Sequence, residues 1–106
     1  MTQTALDGDQ LLGMVAALAN PIRLRILAQL ADRRDYVSHL AREIGVSRPL
    51  LHMHLQRLEA VGLVVGSLEL SEDGKALRFY DVAPFDLHLT PATVAAAAPT
   101  LTSVDP

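Results

Sequence analysis

The sequence predicts a mainly α-helical domain with one small β-hairpin, because three patterns agree. Apolar residues recur at helical spacing in four segments between residues 7 and 61, which favours four helices. After Gly62 the apolar residues alternate instead, in two stretches separated by the turn S-E-D-G, and this predicts a hairpin over residues 63–82. Thr90 followed by Pro91 then marks the start of a short C-terminal helix.

The first two helices are predicted to meet at a proline. Apolar residues spaced from Leu11 to Leu18 place the first helix over residues 7–18. Asn20 followed by Pro21 is a cap and a first-turn proline, a pair that starts a helix without losing a backbone hydrogen bond.

The second helix continues the apolar stripe from Ile22 to Leu30. Residues 33–35, which follow this helix, are expected to form a connector. Three arginines fall outside the stripe: Arg23, Arg33 and Arg34.

The segment from Val37 to Val64 predicts two helices joined by a tight turn. A short third helix ends at Gly45, a residue suited to the left-handed conformation of such a turn. Ser47 caps a fourth helix over residues 47–61, and Pro49 lies in its first turn, where a proline costs little. This layout lets one helix brace the next against the major groove of DNA.

The fourth helix is predicted to have a core face and an outward face. At about 100° per residue, Leu51, Leu55 and Leu58 cluster on the core side. His54 falls at the edge of the core, where we expect a hydrogen-bonded structural histidine. The outward side has donors, a thioether and small groups, with no carboxylate before Glu59: Arg48, Pro49, His52, Met53, Gln56, Arg57 and Ala60.

The outward residues have the chemistry of a surface that reads DNA. Arg48 is suited to a bidentate pair with guanine, Gln56 to one with adenine, and Met53 to contact with a thymine methyl group. Arg57 is better suited to phosphate. His39 on the third helix is expected to be an exposed polar residue or a phosphate contact. The stripe is also compatible with an ordinary solvated helix face, but the preceding helix, the glycine turn and the hairpin favour DNA binding.

The hairpin corresponds in position to the wing of a winged helix, which lies along the minor groove. Its tip is acidic, with Glu72 and Asp73, and its cations available for phosphate are Lys75 and Arg78. The alternative is a hairpin that simply covers the core.

Charge and composition restrict the function further. The net charge is −3, yet residues 20–58 hold seven arginines against three acids and sum to +4. A polyanion is therefore expected to bind at the helix pair and to be repelled by the rest.

The absence of cysteine excludes disulfides and thiolate metal sites. No apolar run approaches the ~18 residues of a membrane span, and the start lacks a secretory signal, which favours a soluble cytoplasmic protein.

Two segments match the pattern of a known family. L-A-N-P-I-R-L-R-I-L, from Leu18 to Leu27, and S-R-P-L-L-H-M-H-L-Q-R-L-E-A-V-G-L-V, from Ser47, resemble the opening helix and the recognition helix of ArsR-type (arsenic-repressor-like) winged helix-turn-helix regulators. The resemblance covers about residues 11–82 and implies a transcription regulator, usually a homodimer on a two-fold symmetric operator. On matching positions it implies Ser47 as cap, Leu55 and Leu58 as core, and four base readers: Arg48, His52, Met53 and Gln56.

The chain departs from that family in its sensing residues. Many ArsR-type proteins sense metals through cysteines on the recognition helix, and this chain has none. Asp86 and His88 match half of another sensing motif, but two ligands do not complete a tetrahedral zinc site. We therefore expect no metal or other cofactor, and expect both residues to face solvent on an extended strand. Because the final helix is short, dimerisation is expected to depend on the first helix, with Leu11, Val15 and Leu18 as candidate contacts. The alternative is that these three are ordinary core residues.

These observations predict one winged helix-turn-helix domain over residues 1–98 and a flexible tail over residues 99–106. The expected function is sequence-specific regulation of transcription, as a repressor that reads a palindromic operator in double-stranded DNA with helix 47–61 in the major groove. The alternative is a winged-helix protein–protein interaction module without DNA readout, favoured by the acidic wing. The sequence has no glycine-rich phosphate loop, cysteine nucleophile or triad spacing, so we expect no enzyme activity, and no residue set identifies an effector.

Overall fold

The computed structural model describes residues 6–102, with five α-helices, three β-strands and one 3₁₀ turn in that range. The elements are α1 (Gly8–Leu18), α2 (Pro21–Asp32), β1 (Asp35–Tyr36), α3 (Val37–Ile44), α4 (Arg48–Ala60), β2 (Val64–Leu70), β3 (Ala76–Val82), α5 (Pro91–Ala97) and the 3₁₀ turn Ala98–Thr100. This order confirms the predicted winged helix-turn-helix with a helix added at each end. No single helix in residues 6–102 is long and apolar enough to cross a membrane, and α1 with α2 passes that test only across a 92° bend.

The helices begin where the sequence places them. Asp7 caps α1 by accepting a hydrogen bond from the Gln10 amide at 2.8 Å. Asn20 caps α2 by accepting from the amides of Ile22 at 2.9 Å and Arg23 at 3.1 Å. Because these side chains satisfy amides that a first turn leaves without partners, each helix start is fixed by its local sequence.

The hydrophobic core lies where α2, α3 and α4 meet the base of the hairpin. Leu51, Leu55 and Leu58 of α4 are fully buried, as their spacing predicts. They are joined by further side chains with at most 2% exposure: Ile26, Leu30, Leu40, Leu63, Val64 and Tyr80. Burial of a large apolar side chain contributes about 1.5–3 kcal/mol, so the core leucines determine which face of α4 is left in solvent.

The hairpin is part of a three-stranded antiparallel sheet in the order β1-β3-β2. The β2–β3 pairing runs from Val64–Val82 to Leu70–Ala76 and confirms the predicted hairpin. β1 pairs Asp35 with Tyr80, so the last residue of the predicted connector over residues 33–35 belongs to the sheet. The base of the hairpin packs on the core, whereas Leu68 and Leu70 share one face, as predicted, and are 68% and 77% exposed. The outer half of the hairpin therefore does not cover the core.

Arg23 and His39 have different surroundings from those that the sequence predicts. Arg23 is 7% exposed, because its guanidinium turns inward to the ring of His54. The prediction that Arg23 lies outside the buried stripe of α2 is therefore wrong. His39 is half-buried, since its Nδ1 donates to Asp35 at 2.5 Å and its Nε2 lies 3.4 Å from Glu43. His39 thus has two carboxylate partners instead of the open position expected of a phosphate contact.

The end of the described chain packs on α1. The Gly8 amide donates to the Thr100 hydroxyl at 2.5 Å, and the Thr102 hydroxyl donates to the carboxylate of Asp9 at 2.7 Å. The hydrogen bond from Thr102 holds the pKa of Asp9 below its ordinary value. The segment expected to be a flexible tail, residues 99–106, is therefore docked as far as residue 102, and its last four residues lie outside the described range.

Candidate nucleic-acid interface

α3 and α4 form a helix-turn-helix whose turn depends on Gly45. This glycine has a φ of 84°, in the left-handed region that favours glycine. The amides of Gly45 and Val46 donate to the Ala41 carbonyl at 2.9 and 3.0 Å and end α3. Ser47 then caps α4 by accepting from the Leu50 amide at 3.3 Å. The start of α4 is thus fixed by three consecutive residues of the turn.

The face of α4 opposite its buried leucines is open to solvent. All seven residues assigned to DNA on this helix and its cap are exposed: Ser47, Arg48, Pro49, His52, Met53, Gln56 and Arg57. Met53 is 40% exposed although it is a large apolar residue. No carboxylate occurs on α4 before Glu59, so this surface has donors and positive charge. These seven residues, termed the outward face, form one accessible surface.

The two cations assigned to the wing lie beside carboxylates. Lys75 Nζ is 4.0 Å from Asp73, and the Lys75 side chain is 79% exposed. Arg78 lies 3.7 Å from Glu59 and donates to the Tyr80 hydroxyl at 2.9 Å, which raises the pKa of Arg78 above its ordinary value. Lys75 is therefore accessible to DNA, whereas Arg78 is held against the end of α4.

The tip of the wing keeps its negative charge. Asp73 accepts hydrogen bonds from the Ser71 hydroxyl and the Lys75 amide, and these bonds hold its pKa below the ordinary value. Glu72 beside it is exposed. Because two carboxylates repel phosphate, the tip itself is a poor surface for the DNA backbone.

A buried histidine–arginine pair lies on the core side of α4. His54 is 5% exposed, and its Nδ1 lies 3.0 Å from Nη1 of Arg23, which confirms the predicted hydrogen-bonded structural histidine. Sequence reasoning missed the partner, because Arg23 is 31 residues away. The available signal was the core position of His54, since a buried polar group requires a hydrogen-bond partner.

Asp86 and His88 do not form a metal site with the residues around them. Both are exposed, as predicted, but the strand predicted for this segment is wrong, because residues 83–90 pair with no strand of the sheet and form no regular element. Their side chains lie 3.4 Å apart. Within residues 6–102 no three histidine or carboxylate side chains come together to hold a metal ion. The metal sites of the family that the sequence resembles therefore do not fit these residues.

A second exposed surface is apolar and is formed by α1, α5 and the segments beside α5. It surrounds a groove of about 310 Å³, and Leu12 at its rim is 55% exposed. Of the predicted dimer contacts, Val15 is exposed on this surface, Leu11 lines the groove and Leu18 packs against the core. The exposed members, termed the α1–α5 patch, are Leu12, Val15, Leu89, Val94 and Leu101.

Comparisons with known proteins agree with this geometry. Residues 20–65 match the family model described as "Bacterial regulatory protein, arsR family". The "Uncharacterized HTH-type transcriptional regulator MJ0229" of Methanocaldococcus jannaschii is 38% identical over 76 residues, which cover 72% of this chain and 79% of that protein. The HTH-type transcriptional regulator CmtR of Mycobacterium bovis is 40% identical over 76 residues, and this match covers 72% of this chain and 58% of CmtR.

A solved structure extends the similarity to the whole fold. It is the homodimeric winged helix-turn-helix DNA-binding domain of Mb0332 from Mycobacterium bovis (fragment 1–100), with 26% identity and a TM-score of 0.60. The superposition covers 86% of this chain and 74% of that one. The family match spans α2, α3 and α4, the elements that present the outward face. The chain therefore belongs to the arsR family of bacterial regulatory proteins and is a DNA-binding winged helix-turn-helix transcriptional regulator.

Proposed function

We propose that this regulator binds a palindromic operator in double-stranded DNA as a homodimer, with α4 of each copy in the major groove. The observation that carries the proposal is the outward face, where exposed donors and a thioether lie opposite buried leucines and no carboxylate precedes Glu59. A helix with such a face fits the major groove, because base edges there present acceptors and thymine methyl groups.

Each residue of the outward face has a proposed role. Arg48 pairs with O6 and N7 of guanine, Gln56 pairs with N6 and N7 of adenine, and Met53 contacts a thymine methyl group. The remaining residues contact a neighbouring base or fix the register on the phosphates: Ser47, Pro49, His52 and Arg57.

The wing has a smaller proposed role than α4. Lys75 is accessible and supplies a phosphate contact, whereas the charge of Arg78 is partly neutralised by Glu59 at 3.7 Å. Glu72 and Asp73 at the tip repel the backbone. We therefore expect the affinity for DNA to depend less on Lys75 and Arg78 than on the outward face.

The proposed homodimer forms through the α1–α5 patch. The similar Mb0332 domain is described as homodimeric, and the patch of this chain exposes Leu12, Val15 and Val94, apolar surface that a second copy would cover. A two-fold axis would present two outward faces to half-sites one helical turn apart, about 34–36 Å along the DNA.

The proposed role is repression of transcription in the cytoplasm, without enzyme activity and without a metal cofactor. Occupation of an operator by a dimer can repress transcription without a catalytic step or a bound metal. The relatives above are named as transcriptional regulators, and none of them favours a protein–protein module without DNA readout.

Selection of binding sites from random double-stranded DNA tests the proposal with the purified full chain. We expect a palindrome, and we expect binding to it to weaken steeply with salt because the protein displaces counterions from phosphates. Arg48→Ala should cost about 1–3 kcal/mol on the selected palindrome and should relax the preference at one base position. Arg33→Ala is the matched control, because it removes the same charge from an exposed position next to α2.

Two results would contradict the proposal. The absence of any preferred sequence at every salt concentration would rule out an operator. A loss for Arg48→Ala that is equal on all sequences would show that Arg48 contacts phosphate and does not read a base.

A further inference from the structure

The guanidinium of Arg23 is buried without a carboxylate partner among residues 6–102. Its Nε donates to the Ala17 carbonyl at 2.6 Å, and its Nη2 donates to the Ala16 carbonyl at 3.4 Å. Its Nη1 lies 3.0 Å from Nδ1 of His54 on α4. Arg23 therefore joins the last turns of α1 to the core side of α4, and His54 supplies the contact with α4.

This contact defines the protonation state of His54. Arginine is permanently charged and has donors but no acceptor, so Nδ1 of His54 must be the acceptor and the ring proton must lie on Nε2. A second proton on the ring would place an N–H against the N–H of Arg23 and would bring two cations together. The hydrogen bond therefore exists only while His54 is neutral.

The charges that act on His54 from the packed elements are both positive. Burial, then Arg23 on α2, then Arg57 on α4 together lower the pKa of His54 below its ordinary value. The neutral ring is thus the form present in the folded protein at neutral pH. Because the pKa is lowered, the folded protein takes up a proton on His54 only at a pH below ~6.5, the ordinary pKa of histidine.

A displacement of His54 is transmitted to the outward face. His54 follows Met53 directly and lies one turn before Arg57, and both of these residues are exposed. Because a helix moves as a rigid element, a repulsion between Arg23 and protonated His54 shifts Met53 and Arg57 together with the ring. The buried pair and the proposed DNA contacts are thus two faces of one helix.

We propose that Arg23 and His54 position α4 for DNA, and that protonation of His54 releases this helix so that mildly acidic pH weakens operator binding. The inference rests on the proposed function, since operator affinity is what changes. His54 is a positioning residue that acts through Met53 and Arg57 and does not itself touch DNA.

The direct test compares the operator affinity of the wild-type chain and His54→Asn at about pH 7.5 and about pH 5.5, values on either side of the ordinary histidine pKa. The Asn amide oxygen can accept from Arg23 near the position of Nδ1, but it does not titrate. We expect near-normal affinity for His54→Asn at the higher pH. On going to the lower pH, the wild type should lose about three- to tenfold more affinity than the variant, within the limit of tenfold per pH unit for one proton.

Two controls separate the effect of His54 on operator affinity from the effects of other histidines and of unfolding. His88→Gln removes an exposed histidine outside α4 and should keep the wild-type pH dependence. Circular dichroism at each pH verifies that the chains are folded. His52 on the outward face is present in both chains compared, so its contribution to DNA binding is the same in both.

A second measurement on the wild type needs no variant and no DNA. Nitrogen-15 NMR should show the neutral Nε2–H tautomer of His54, and the amide resonances of α4 at Met53 and Arg57 should titrate with the His54 ring. An equal pH dependence of affinity in wild type and His54→Asn would overturn the inference, as would α4 amides that do not follow the ring. Failure of the wild type to select any operator at pH ~7.5 would instead contradict the proposed function.

Discussion

The carboxylate of Glu59, in the last turn of α4, lies 3.7 Å from the guanidinium of Arg78 on β3. The same carboxylate accepts a hydrogen bond from the Gly66 amide on β2 at 3.3 Å. One side chain at the end of α4 therefore contacts both strands of the wing. The position of the wing relative to α4 depends on the residues packed at this junction.

Gly66→Ala should destabilise the protein by about 1–3 kcal/mol, the usual cost of overpacking. An added Cβ would lie 3.0 Å from the buried Tyr80 ring and 3.2 Å from the Glu59 carboxylate. The neighbours must each give by a few tenths of an ångström, and this costs most at the Tyr80 ring because it is packed in the core. Urea denaturation measures the change, with Ser67→Ala at the next, exposed position as control. An unchanged free energy of unfolding would show that the junction adapts without cost.

Asn20→Ala should destabilise the fold more than Ser47→Ala. Asn20 accepts from two amides at 2.9 and 3.1 Å and is half-buried, whereas Ser47 accepts from one amide at 3.3 Å and is exposed. Loss of a cap costs about 0.5–2 kcal/mol, and we expect Asn20→Ala at the upper and Ser47→Ala at the lower end of that range. Thermal unfolding of the two variants in one buffer decides the order, and the reverse order would contradict the prediction.

Asp35→Asn should lower the free energy of unfolding at neutral pH and should make that free energy depend less on pH in the acidic range. Burial raises the pKa of Asp35, but hydrogen bonds from His39, Tyr36 and Gln29 outweigh this and hold it below the ordinary value. A lowered folded-state pKa contributes stability that is complete above the unfolded-state pKa, about 3.9, and is lost as the pH falls through the folded-state value.

At neutral pH we expect Asp35→Asn to cost about 1–3 kcal/mol, because the donors around this position lose a charged acceptor. The difference from wild type should shrink below pH ~4. Denaturant titrations at a series of pH values measure both effects. A difference that stays constant down to the acid transition would show that the ionised carboxylate is not what stabilises this site.

Leu12→Glu should separate the proposed dimer without unfolding the monomer. Leu12 is 55% exposed in the α1–α5 patch, so a carboxylate there is solvated in the monomer but buried between two copies. We expect at least a tenfold weaker dimer in sedimentation equilibrium, equivalent to about 1.4 kcal/mol. Leu24→Glu is the matched control, because Leu24 on α2 is 52% exposed outside the patch. A dimer disrupted by Leu24→Glu and not by Leu12→Glu would place the interface elsewhere.

Most of the fold could be predicted because its signals act over a few residues. The cap at Asn20, the left-handed glycine at Gly45 and the cap at Ser47 each satisfy backbone groups in the adjacent turn, so no distant contact is needed to fix them. The outward face follows from the helical period, because burial of the leucines at Leu51 and Leu55 determines the opposite side.

What the sequence did not predict depends on contacts between distant residues. The local pattern predicts that Arg23 lies outside the buried stripe of α2. Its acceptors come from α1 and from His54, which is 31 residues away. The strand β1 has two residues and becomes visible only through its pairing with β3. The contact of Arg78 with Glu59 likewise requires the packed hairpin, so this contact has no signature in the sequence.

The hydrogen bonds that dock α1 have a consequence for the order of folding. Gly8 bonds to Thr100 and Asp9 bonds to Thr102, over separations of 92 and 93 residues. Closing so long a loop costs entropy until the intervening elements have condensed and shortened the gap. We therefore expect α1 and α5 to come together last, after the elements between them have formed. Newly made chains would then pair only after each has completed its own fold.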